Sequence, residues 1–315
     1  MTHYAVTAFY KFVDLKDLAS LKSILETKGS ELGILGTILL AEEGINSTIA
    51  GLPGKLDTFM AFLRSLEPFE DLEEKRSGSE GPPFYRFKVR LKKEIVTIGV
   101  PEADPRKAVG KYVDPQEWNN LIEDPNTVLI DTRNDYEVAM GKFKGAIDPE
   151  TPSFRDFPKW AEEHLAKKPD QKIAMYCTGG IRCEKATSLL KQMGYRNVYH
   201  LKGGILKYLE TIPPEQSTWE GSCFVFDQRV GLEHGLRASD YTLCHGCRNP
   251  LSDQDRDSPL YEPGVMCPHC ANTLSEEKIA RLRERQLQVR LAEARGDHHI
   301  GSLPNPEPFE ENKDD

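Results

Sequence analysis

The segment Lys172–Met193 constrains the fold of this chain more than any other. It begins with a short apolar run, passes through Cys177 and a loop that contains Gly179 and Gly180, and continues with the composition of a helix. A buried strand that turns through glycines straight into a helix is typical of a parallel sheet in which helices connect the strands. The segment therefore predicts an α/β region centred on Cys177.

The neighbouring residues extend this prediction. Thr127–Ile130 and Val198–Leu201 are two more short, mostly apolar runs, and Asp114 precedes Pro115 as a cap precedes the first residue of a helix. Short apolar strands that alternate with helices indicate a parallel sheet covered on both faces. We expect this region to span residues 110–213.

The residues before this region predict a different, α+β architecture. Their order is strand, helix, hairpin, helix and strand, which we assign to residues 4–10, 14–29, 34–51, 57–66 and 86–98. This order is that of a ferredoxin-like domain, which we place at residues 1–100. The proline-containing acidic stretch at 101–105 is predicted to be the linker that follows it.

Two Cys-x-x-Cys pairs dominate the residues after 213. Cys244 and Cys247 form one pair, Cys267 and Cys270 the other, and 19 residues separate the pairs. Four thiolates at this spacing predict a structural zinc site, which is closed and hence not catalytic. Unliganded thiols are the alternative, disulfides are disfavoured in the cytosol, and the histidines inside the pairs, His245 and His269, are possible substitute ligands.

We therefore predict a multidomain chain of α/β and α+β class. The zinc-binding region, with a charged helix from Ser275 to about Ala294, spans residues 214–296, and an acidic, disordered tail spans 297–315. The remaining cysteines are Cys177, Cys183 and Cys223. We interpret Cys223, in an apolar run, as a packed strand residue.

The loop after the strand has the features of an anion cradle. Backbone N–H groups of Thr178, Gly179, Gly180 and Ile181 are expected to point inward, and the helix N-terminus adds partial positive charge. Both effects lower the pKa of a thiol at Cys177. Arg182 adds a fixed cation. We therefore predict that Cys177 is a reactive thiolate and Arg182 its catalytic partner.

Residues 110–212 resemble a rhodanese domain. The stretch LIDTRNDYEVAMGKFKGAIDP matches the first motif of that family, and YHLKGGILKY matches its closing motif. The spacing from Cys177 to Arg182 is C-x4-R, one residue shorter than the phosphate loop of related phosphatases, which excludes that activity. The alternative is a degenerate domain with a buried cysteine. We interpret the first motif's charged residues as a salt-bridged scaffold under the loop rather than as catalysts: Asp131, Arg133 and Glu137.

Further motifs narrow the resemblance. AEEGINSTIAG, CTGGIRCEKA and GSCFVFDQRV, followed by the paired cysteines, are together similar to the bacterial tRNA uridine hydroxylase family; Ser47 stands where that family's turn is expected to hold glycine. The resemblance implies oxygen-dependent formation of 5-hydroxyuridine at position 34 of tRNA, with Cys177 as the active-site cysteine and molecular oxygen as a substrate. A thiosulfate or persulfide sulfurtransferase and a zinc-containing RNA-binding adaptor are the alternatives.

The role of Cys177 in hydroxylation stays open at this point. As a thiolate it could add to carbon 6 of uracil and make carbon 5 nucleophilic, or it could carry a persulfide or an oxidised sulfur. Cys183, in the first helical turn, is expected to point away from the centre of the loop, yet it is near enough to be a resolving thiol. No glycine fingerprint for flavin or NAD is present, nor an iron-binding pattern.

Basic residues give two candidate surfaces for tRNA. Arg86, Lys88, Arg90 and Lys92 alternate on one face of a predicted strand; the other surface is one side of the last helix, with Lys278, Arg281, Arg285 and Arg290. A solvated charged face is the alternative for each. For the aromatic neighbours Tyr85 and Phe87 we favour core packing over base stacking.

Charge and targeting give weaker constraints. The formal net charge of −9 argues mildly against a nucleic-acid partner, but acidic residues concentrate in the tail. The N-terminal domain should resemble acylphosphatase in shape, but the loop after its first strand lacks the arginine that this activity needs. No signal peptide or bilayer-spanning run is evident, so we expect a cytoplasmic protein, and no protein partner is indicated.

Overall fold

The N-terminal part of the chain is a ferredoxin-like domain with one added strand. The computed structural model describes residues 2–166 and 168–295; the predicted tail at 297–315 lies outside them. The elements of this part are β1 (Tyr4–Phe12), α1 (Leu18–Glu31), β2 (Leu35–Ala41), β3 (Gly44–Gly51), α2 (Pro53–Arg64), β4 (Glu74–Ser79) and β5 (Phe87–Leu91).

The strand order of this sheet corrects one prediction. The order is β4-β1-β3-β2-β5, in which β5 runs parallel to β2 and all other neighbours are antiparallel. The last strand of the ferredoxin-like pattern is β4, not the strand expected within residues 86–98. That segment instead supplies β5, an extra strand at the open edge beside β2.

Alternation along the strands gives this sheet two different faces. Phe9, Ile38 and Ile49 point to one face and form a core with side chains of α1 and α2, among them Leu25 and Phe59. Residues of the opposite parity point to the other face, which lines a cleft instead of a helical layer: Val6, Ala8, Tyr10, Thr37 and Leu39. One side of the sheet is therefore free to face the second domain.

The central region is the predicted parallel α/β domain. Its sheet has the order β6-β10-β9-β7, with every pair parallel. Its elements are β6 (Lys111–Val113), α3 (Pro115–Ile122), β7 (Thr127–Asp131), α4 (Asp135–Val138), β8 (Gly141–Phe143), α5 (Phe157–His164), β9 (Lys172–Tyr176), α6 (Ile181–Gln192), β10 (Asn197–Leu201) and α7 (Gly204–Thr211).

Strand β9 lies inside this sheet and is buried on both faces. Ile173 and Met175 pack into one apolar cluster, which includes Leu190 of α6. Ala174 and Tyr176 pack into a second cluster on the opposite face, with Trp118 of α3. This double burial explains why the strand reads as a continuous apolar run, and it fixes the point at which Cys177 emerges.

The remaining residues add short strands and a long terminal helix. Strand β11 (Trp219–Gly221) pairs with β8, β12 (Cys223–Phe224) with β13 (Gly231–Leu232), and β14 (Thr242–Leu243) with β15 (Pro250–Leu251); α8 (Asp253–Arg256) and α9 (Glu276–Ala294) follow. Within residues 2–166 and 168–295, no helix combines the length and apolar character needed to cross a membrane.

Ion pairs hold the first domain against the helix that follows the Cys177 loop. Lys185 of α6, only 2% exposed, pairs with Glu43 at 2.8 Å and with Glu94 at 2.6 Å, and both carboxylates belong to the N-terminal part. Arg229, from the segment after α7, donates to Ser77 Oγ of β4 at 2.7 Å. The free face of the N-terminal sheet is thereby fixed opposite the loop.

Candidate active site

Cys177 follows β9 directly and begins the tight turn into α6. The backbone N–H of Gly180 donates a hydrogen bond to the Cys177 sulfur at 3.1 Å. The first N–H groups of α7 hold the loop from outside, because Ile205 donates to the carbonyl of Cys177 at 3.0 Å and Leu206 to that of Thr178 at 3.1 Å. Ile205 and Leu206 belong to the motif YHLKGGILKY, so this motif holds the Cys177 loop in place through backbone hydrogen bonds.

Two glycines allow this close approach. Gly180 has a φ of +103°, and a Cβ there would lie 2.8 Å from the hydroxyl of Tyr10. Gly204 has a φ of +69°, and a Cβ there would lie 2.6 Å from the carbonyl oxygens of Cys177 and Thr178. Any side chain at either position would strain the backbone and push the loop apart.

The thiol of Cys177 is held in its ionised form. Burial alone would raise its pKa, but hydrogen bonding from Cys183, the charge of Arg182 and the backbone N–H of Gly180 outweigh burial and lower the pKa to about 6. Burial and the neighbouring sulfur raise the pKa of Cys183, which stays protonated. The Cys183 sulfur is itself buried and lies 3.5 Å from Thr132 Oγ1.

Arg182 is fixed by a buried carboxylate. Its Nη1 donates to Glu137 Oε2 at 2.8 Å, and the side chains are 11% and 0% exposed. Thr178 Oγ1 lies 3.4 Å from the other oxygen of Glu137. The guanidinium is thereby oriented toward the loop and contributes a fixed positive charge.

Below Glu137 lies a second ion pair that is fully buried. Arg133 Nη2 is 2.6 Å from Asp131 Oδ2, and neither side chain is exposed. The guanidinium also donates to the carbonyls of Glu137, at 3.1 Å, and of Gly141, at 2.6 Å. Asp131 and Arg133 thus tie together the backbone that carries Glu137, as a scaffold would.

A cleft of about 550 Å³ opens above the loop. Its walls come mainly from three parts of the chain: the free face of the N-terminal sheet, the loop from Cys177 to Arg182, and the segment 225–232. Leu206, Lys207 and Glu210 of α7 also line it. Pockets of this size bind small molecules and single nucleosides. Cys177, 1% exposed, lies at the floor of this cleft.

Two residues of the N-terminal domain meet the loop and were missed by sequence reasoning. The hydroxyl of Tyr10 donates to Glu184 Oε1, in the first turn of α6, at 2.7 Å. Lys75 places its Nζ 5.1 Å from the centre of the Tyr10 ring. Both belong to the sheet face that lines the cleft, and the only sequence signal was a polar side chain at alternate positions of a strand.

Phe226 is an exposed aromatic residue at the rim of this cleft. It is 58% exposed, and the guanidinium of Arg182 lies 5.7 Å from its ring centre. Its loop is held on both sides, by the hydrogen bond from Val225 N to Val230 O at 2.8 Å and by the Asp227–Arg229 ion pair at 2.6 Å. The ring is therefore presented to solvent by a fixed backbone.

The predicted basic strand leads to the same cleft. In β5, Lys88 lies beside Thr37 and Arg90 beside Leu39 of β2, which places both on the cleft side of the sheet. Lys92 lines the cleft itself. In the described part of the chain, none of these three side chains forms an ion pair, nor does Arg86. Loss of hydration, followed by repulsion from Arg86 and Arg90, lowers the pKa of Lys88.

The remaining candidates for tRNA contacts are the aromatic residues Tyr85 and Phe87 and the basic residues of α9. Phe87 packs against Phe59, with ring centres 6.1 Å apart, whereas Tyr85 is 41% exposed and hydrogen-bonds Gln228. Helix α9 carries its basic residues 278, 281, 285 and 290 away from the residues that line the cleft.

The four paired cysteines converge. Their sulfur atoms all lie within 4.8 Å of one another. Cys244 and Cys270 are 3.8 Å apart, and Cys247 and Cys267 are 3.7 Å apart. A tetrahedron of thiolates at the zinc–sulfur distance of about 2.3 Å has edges of about 3.8 Å, so the cluster has the dimensions of a zinc site. His269 instead pairs with Asp255 at 3.1 Å.

Two protein-family models match this chain, and each of them covers one of the two domains described above. Residues 4–95 match the UPF0176 acylphosphatase like domain, and residues 114–211 match the Rhodanese-like domain. The acylphosphatase-like and rhodanese predictions for the two regions are thereby confirmed.

Curated relatives extend the similarity over almost the whole chain. The tRNA uridine(34) hydroxylase of Rhizobium etli is 55% identical over 299 residues, which cover 95% of this chain and 97% of that protein. The proteins of the same name from Acaryochloris marina and Gluconobacter oxydans are 53% and 55% identical, over 96% and 94% of this chain and 97% and 96% of their own lengths.

Proposed function

This chain belongs to the tRNA uridine(34) hydroxylase family, and we propose that it converts uridine 34 of tRNA to 5-hydroxyuridine with Cys177 as the reactive group. One observation carries the proposal for Cys177. Its thiolate, stabilised to a pKa of about 6, lies at the floor of a nucleoside-sized cleft. A cytoplasmic location follows from a tRNA substrate.

The shape of the site supports an unstacked base as the reacting group. Enzymes that modify a base take it out of its stack, and the bases of an RNA loop are already free of a pairing partner. The exposed ring of Phe226 stands at the rim of the cleft, next to Arg182. We propose that it stacks on the anticodon base that enters or on its neighbour.

Within the cleft, we propose that the Cys177 thiolate adds to carbon 6 of uracil. The bond between sulfur and carbon 6 forms while the electron pair of the carbon 5–carbon 6 double bond moves toward the 4-carbonyl oxygen, which makes carbon 5 nucleophilic. After oxygen is attached there, loss of the carbon 5 proton and of the thiolate restores the ring. Molecular oxygen is the proposed source of the new hydroxyl group: one of its atoms is attached to carbon 5, and the other leaves as water after taking two electrons and two protons from an external thiol donor, which is oxidised to a disulfide.

The basic strand supports binding of the RNA backbone near the cleft. Lys88 and Arg90 lie beside Thr37 and Leu39, which line the cleft, Lys92 lies in it, and Arg86 directly precedes this strand; none of the four forms an ion pair within residues 2–166 and 168–295. Phosphates of the anticodon arm are the anions that we propose they neutralise. Base contacts deeper in the cleft would then supply the choice of nucleotide.

For the four-cysteine cluster we propose a structural zinc ion. Four thiolates leave no open position, so the ion would supply cross-linking of the two Cys-x-x-Cys turns and no reaction chemistry. The cluster lies in a region with only a small apolar core of its own, which includes Leu251. Small domains of this kind depend on such a cross-link for folding.

Nucleoside mass spectrometry of tRNA from a deletion strain tests the function. We expect loss of wobble nucleosides derived from 5-hydroxyuridine, restoration by the wild-type gene and no restoration by Cys177→Ser. Cys183→Ser should restore most of the modification if Cys183 is only a helix residue, and lose activity over successive turnovers if it resolves an oxidised sulfur. Loss of thiolated nucleosides instead would identify a sulfurtransferase, and unchanged tRNA would indicate an adaptor.

A further inference from the structure

Lys75 brings an amino group over the Cys177 loop from the other domain. It lies on β4 opposite Ala8 of β1, on the sheet face that forms one wall of the cleft. Its Nζ is 5.1 Å from the centre of the Tyr10 ring, and Tyr10 reaches α6 through its hydrogen bond to Glu184. The amine therefore faces the space in which a ligand above the cysteine would lie.

Within the described residues, 2–166 and 168–295, this amine has neither an ion-pair partner nor a hydrogen-bond acceptor. Burial lowers the pKa of Lys75, while the negative charges of Cys177, Glu73 and Glu184 oppose that shift and Lys207 adds to it. The face of the Tyr10 ring attracts the charge of this half-buried amine, but its N–H groups lose hydration without gaining a hydrogen-bond acceptor, which is unfavourable until an acceptor is bound.

We propose that Lys75 donates a hydrogen bond to the 4-carbonyl oxygen of the uracil ring above Cys177 and thereby selects uracil against cytosine. An ammonium group has three donors and no acceptor. Uracil carries an acceptor oxygen on carbon 4, where cytosine carries a donor amino group. The same contact would stabilise negative charge on that oxygen when the thiolate adds. This inference rests on the proposed function, since it names the residue that recognises the reacting base.

The cleft supplies a matched control for this lysine. Lys207 of α7 also lines it, but its Nζ pairs with Glu210 at 2.8 Å. Lys207→Met therefore removes the same type of side chain from the same cleft without removing an unpartnered donor. Lys75→Arg retains the charge and the donors at the position under test.

The experiment compares anticodon stem-loop RNAs that carry uridine or cytidine at position 34. For Lys75→Met we expect the preference in binding affinity for the uridine RNA to fall by about tenfold or more, and kcat/KM to fall at least as far. Lys75→Arg should retain most of the preference and Lys207→Met all of it. Kinetics at pH 8.5, above the pKa of Cys177, separate this contact from any effect on the thiolate.

The outcomes are distinct. A Lys75→Met protein with the wild-type preference between the two RNAs overturns the inference, whatever its activity, and so does an equal loss of preference in Lys207→Met. Failure of the wild-type protein to hydroxylate uridine 34 would overturn the proposed function instead. The binding comparison would still show whether Lys75 distinguishes the two bases.

Discussion

At the scale of single residues, the reactivity of the site comes from the positive charge and the hydrogen-bond donors that surround the sulfur atom of Cys177. Cys177 is buried, which by itself disfavours a thiolate, yet donors from Cys183 and Gly180 and the charge of Arg182 converge on it. Glu137 holds Arg182 in place through a buried ion pair at 2.8 Å. The ionisation of Cys177 therefore depends on the Glu137–Arg182 pair.

We predict that Cys177 reacts with iodoacetamide as a thiolate below neutral pH. With a pKa of about 6, roughly nine-tenths of it is ionised at pH 7, whereas an ordinary thiol is almost fully protonated there. Peptide mass spectrometry of the alkylated protein should give a midpoint near pH 6. In Arg182→Met the midpoint should rise, and an unchanged midpoint would contradict the role assigned to the guanidinium.

Phe226 allows a second test at this scale. Replacing it with leucine keeps an apolar side chain but removes the stacking face, so we expect KM for tRNA to rise about 5- to 100-fold with kcat changed much less. Phe226→Trp should retain the wild-type KM. Because the ring is exposed, melting temperature and Cys177 alkylation should not change; equal KM for the leucine and tryptophan variants would refute stacking.

Sequence reasoning found only part of this site, for a physical reason. Cys177, Arg182 and Cys183 occupy consecutive turns of one loop and helix, so their proximity follows from spacing alone. Tyr10 and Lys75 lie more than a hundred residues earlier, and their approach to Cys177 depends on how two domains pack. No local pattern encodes that packing, so these residues became visible only in three dimensions.

At the scale of elements, β5 is an edge strand protected by its charge. Its outward side chains are cationic, which hinders pairing with another strand and leaves the edge available to an anionic partner. It was predicted as a strand because Phe87 and Val89 alternate with basic residues. Strand β4 was missed because its residues, EKRSGS, carry almost no apolar signal; pairing with β1 makes it a strand.

Reversing the charges of this strand should weaken tRNA binding. For Arg86→Glu combined with Lys88→Glu and Arg90→Glu, we expect lower affinity at low salt and a dependence on salt concentration that is shallower by about two to three phosphate contacts. Titrations at several salt concentrations measure both. The control reverses Arg281 and Arg285 of α9; if that variant loses affinity and the β5 variant does not, the RNA lies on the helix.

The four-cysteine region gives a further prediction at this scale. Purified protein should contain about one zinc ion per chain, and Cys267→Ser should lower both the zinc content and the melting temperature, because the remaining ligands no longer close the site. Elemental analysis and thermal unfolding measure these. Cys223→Ser, at a buried cysteine outside the cluster, should retain the metal; full metal content in Cys267→Ser would exclude the assignment.

At the scale of the whole molecule, one buried lysine pairs with carboxylates across the two domains that form the cleft. Lys185 is buried between Glu43 and Glu94. Burial alone would raise the pKa of Glu94, but Lys185 and backbone N–H groups outweigh it and lower the pKa. This pair therefore stabilises the fold above the unfolded pKa of a glutamate, about 4.3, and its contribution is lost as pH falls through the lower, folded value.

We expect Lys185→Met to destabilise the protein by about 3 kcal/mol at pH 7, because two partly buried carboxylates lose their cation. Lys159→Met is the control, since its ion pair with Glu163 is largely exposed and should contribute little. Urea unfolding at pH 7 and at pH 4 measures both variants. The deficit of Lys185→Met should be smaller at pH 4, and a deficit equal to that of Lys159→Met would contradict the linking role.

The residues that line the cleft lie far apart in the sequence, so the ribosome synthesises them at different times. One wall is synthesised first, the reactive cysteine comes about a hundred residues later, and the rim at 225–232 later still. Domains fold in order as the chain emerges, so the N-terminal sheet can fold before the Cys177 loop and the rim residues have been synthesised. A chain that stops short of the rim would carry a folded thiolate loop without its complete cleft. We therefore expect catalytic competence only late in translation, after the rim at 225–232 has been synthesised.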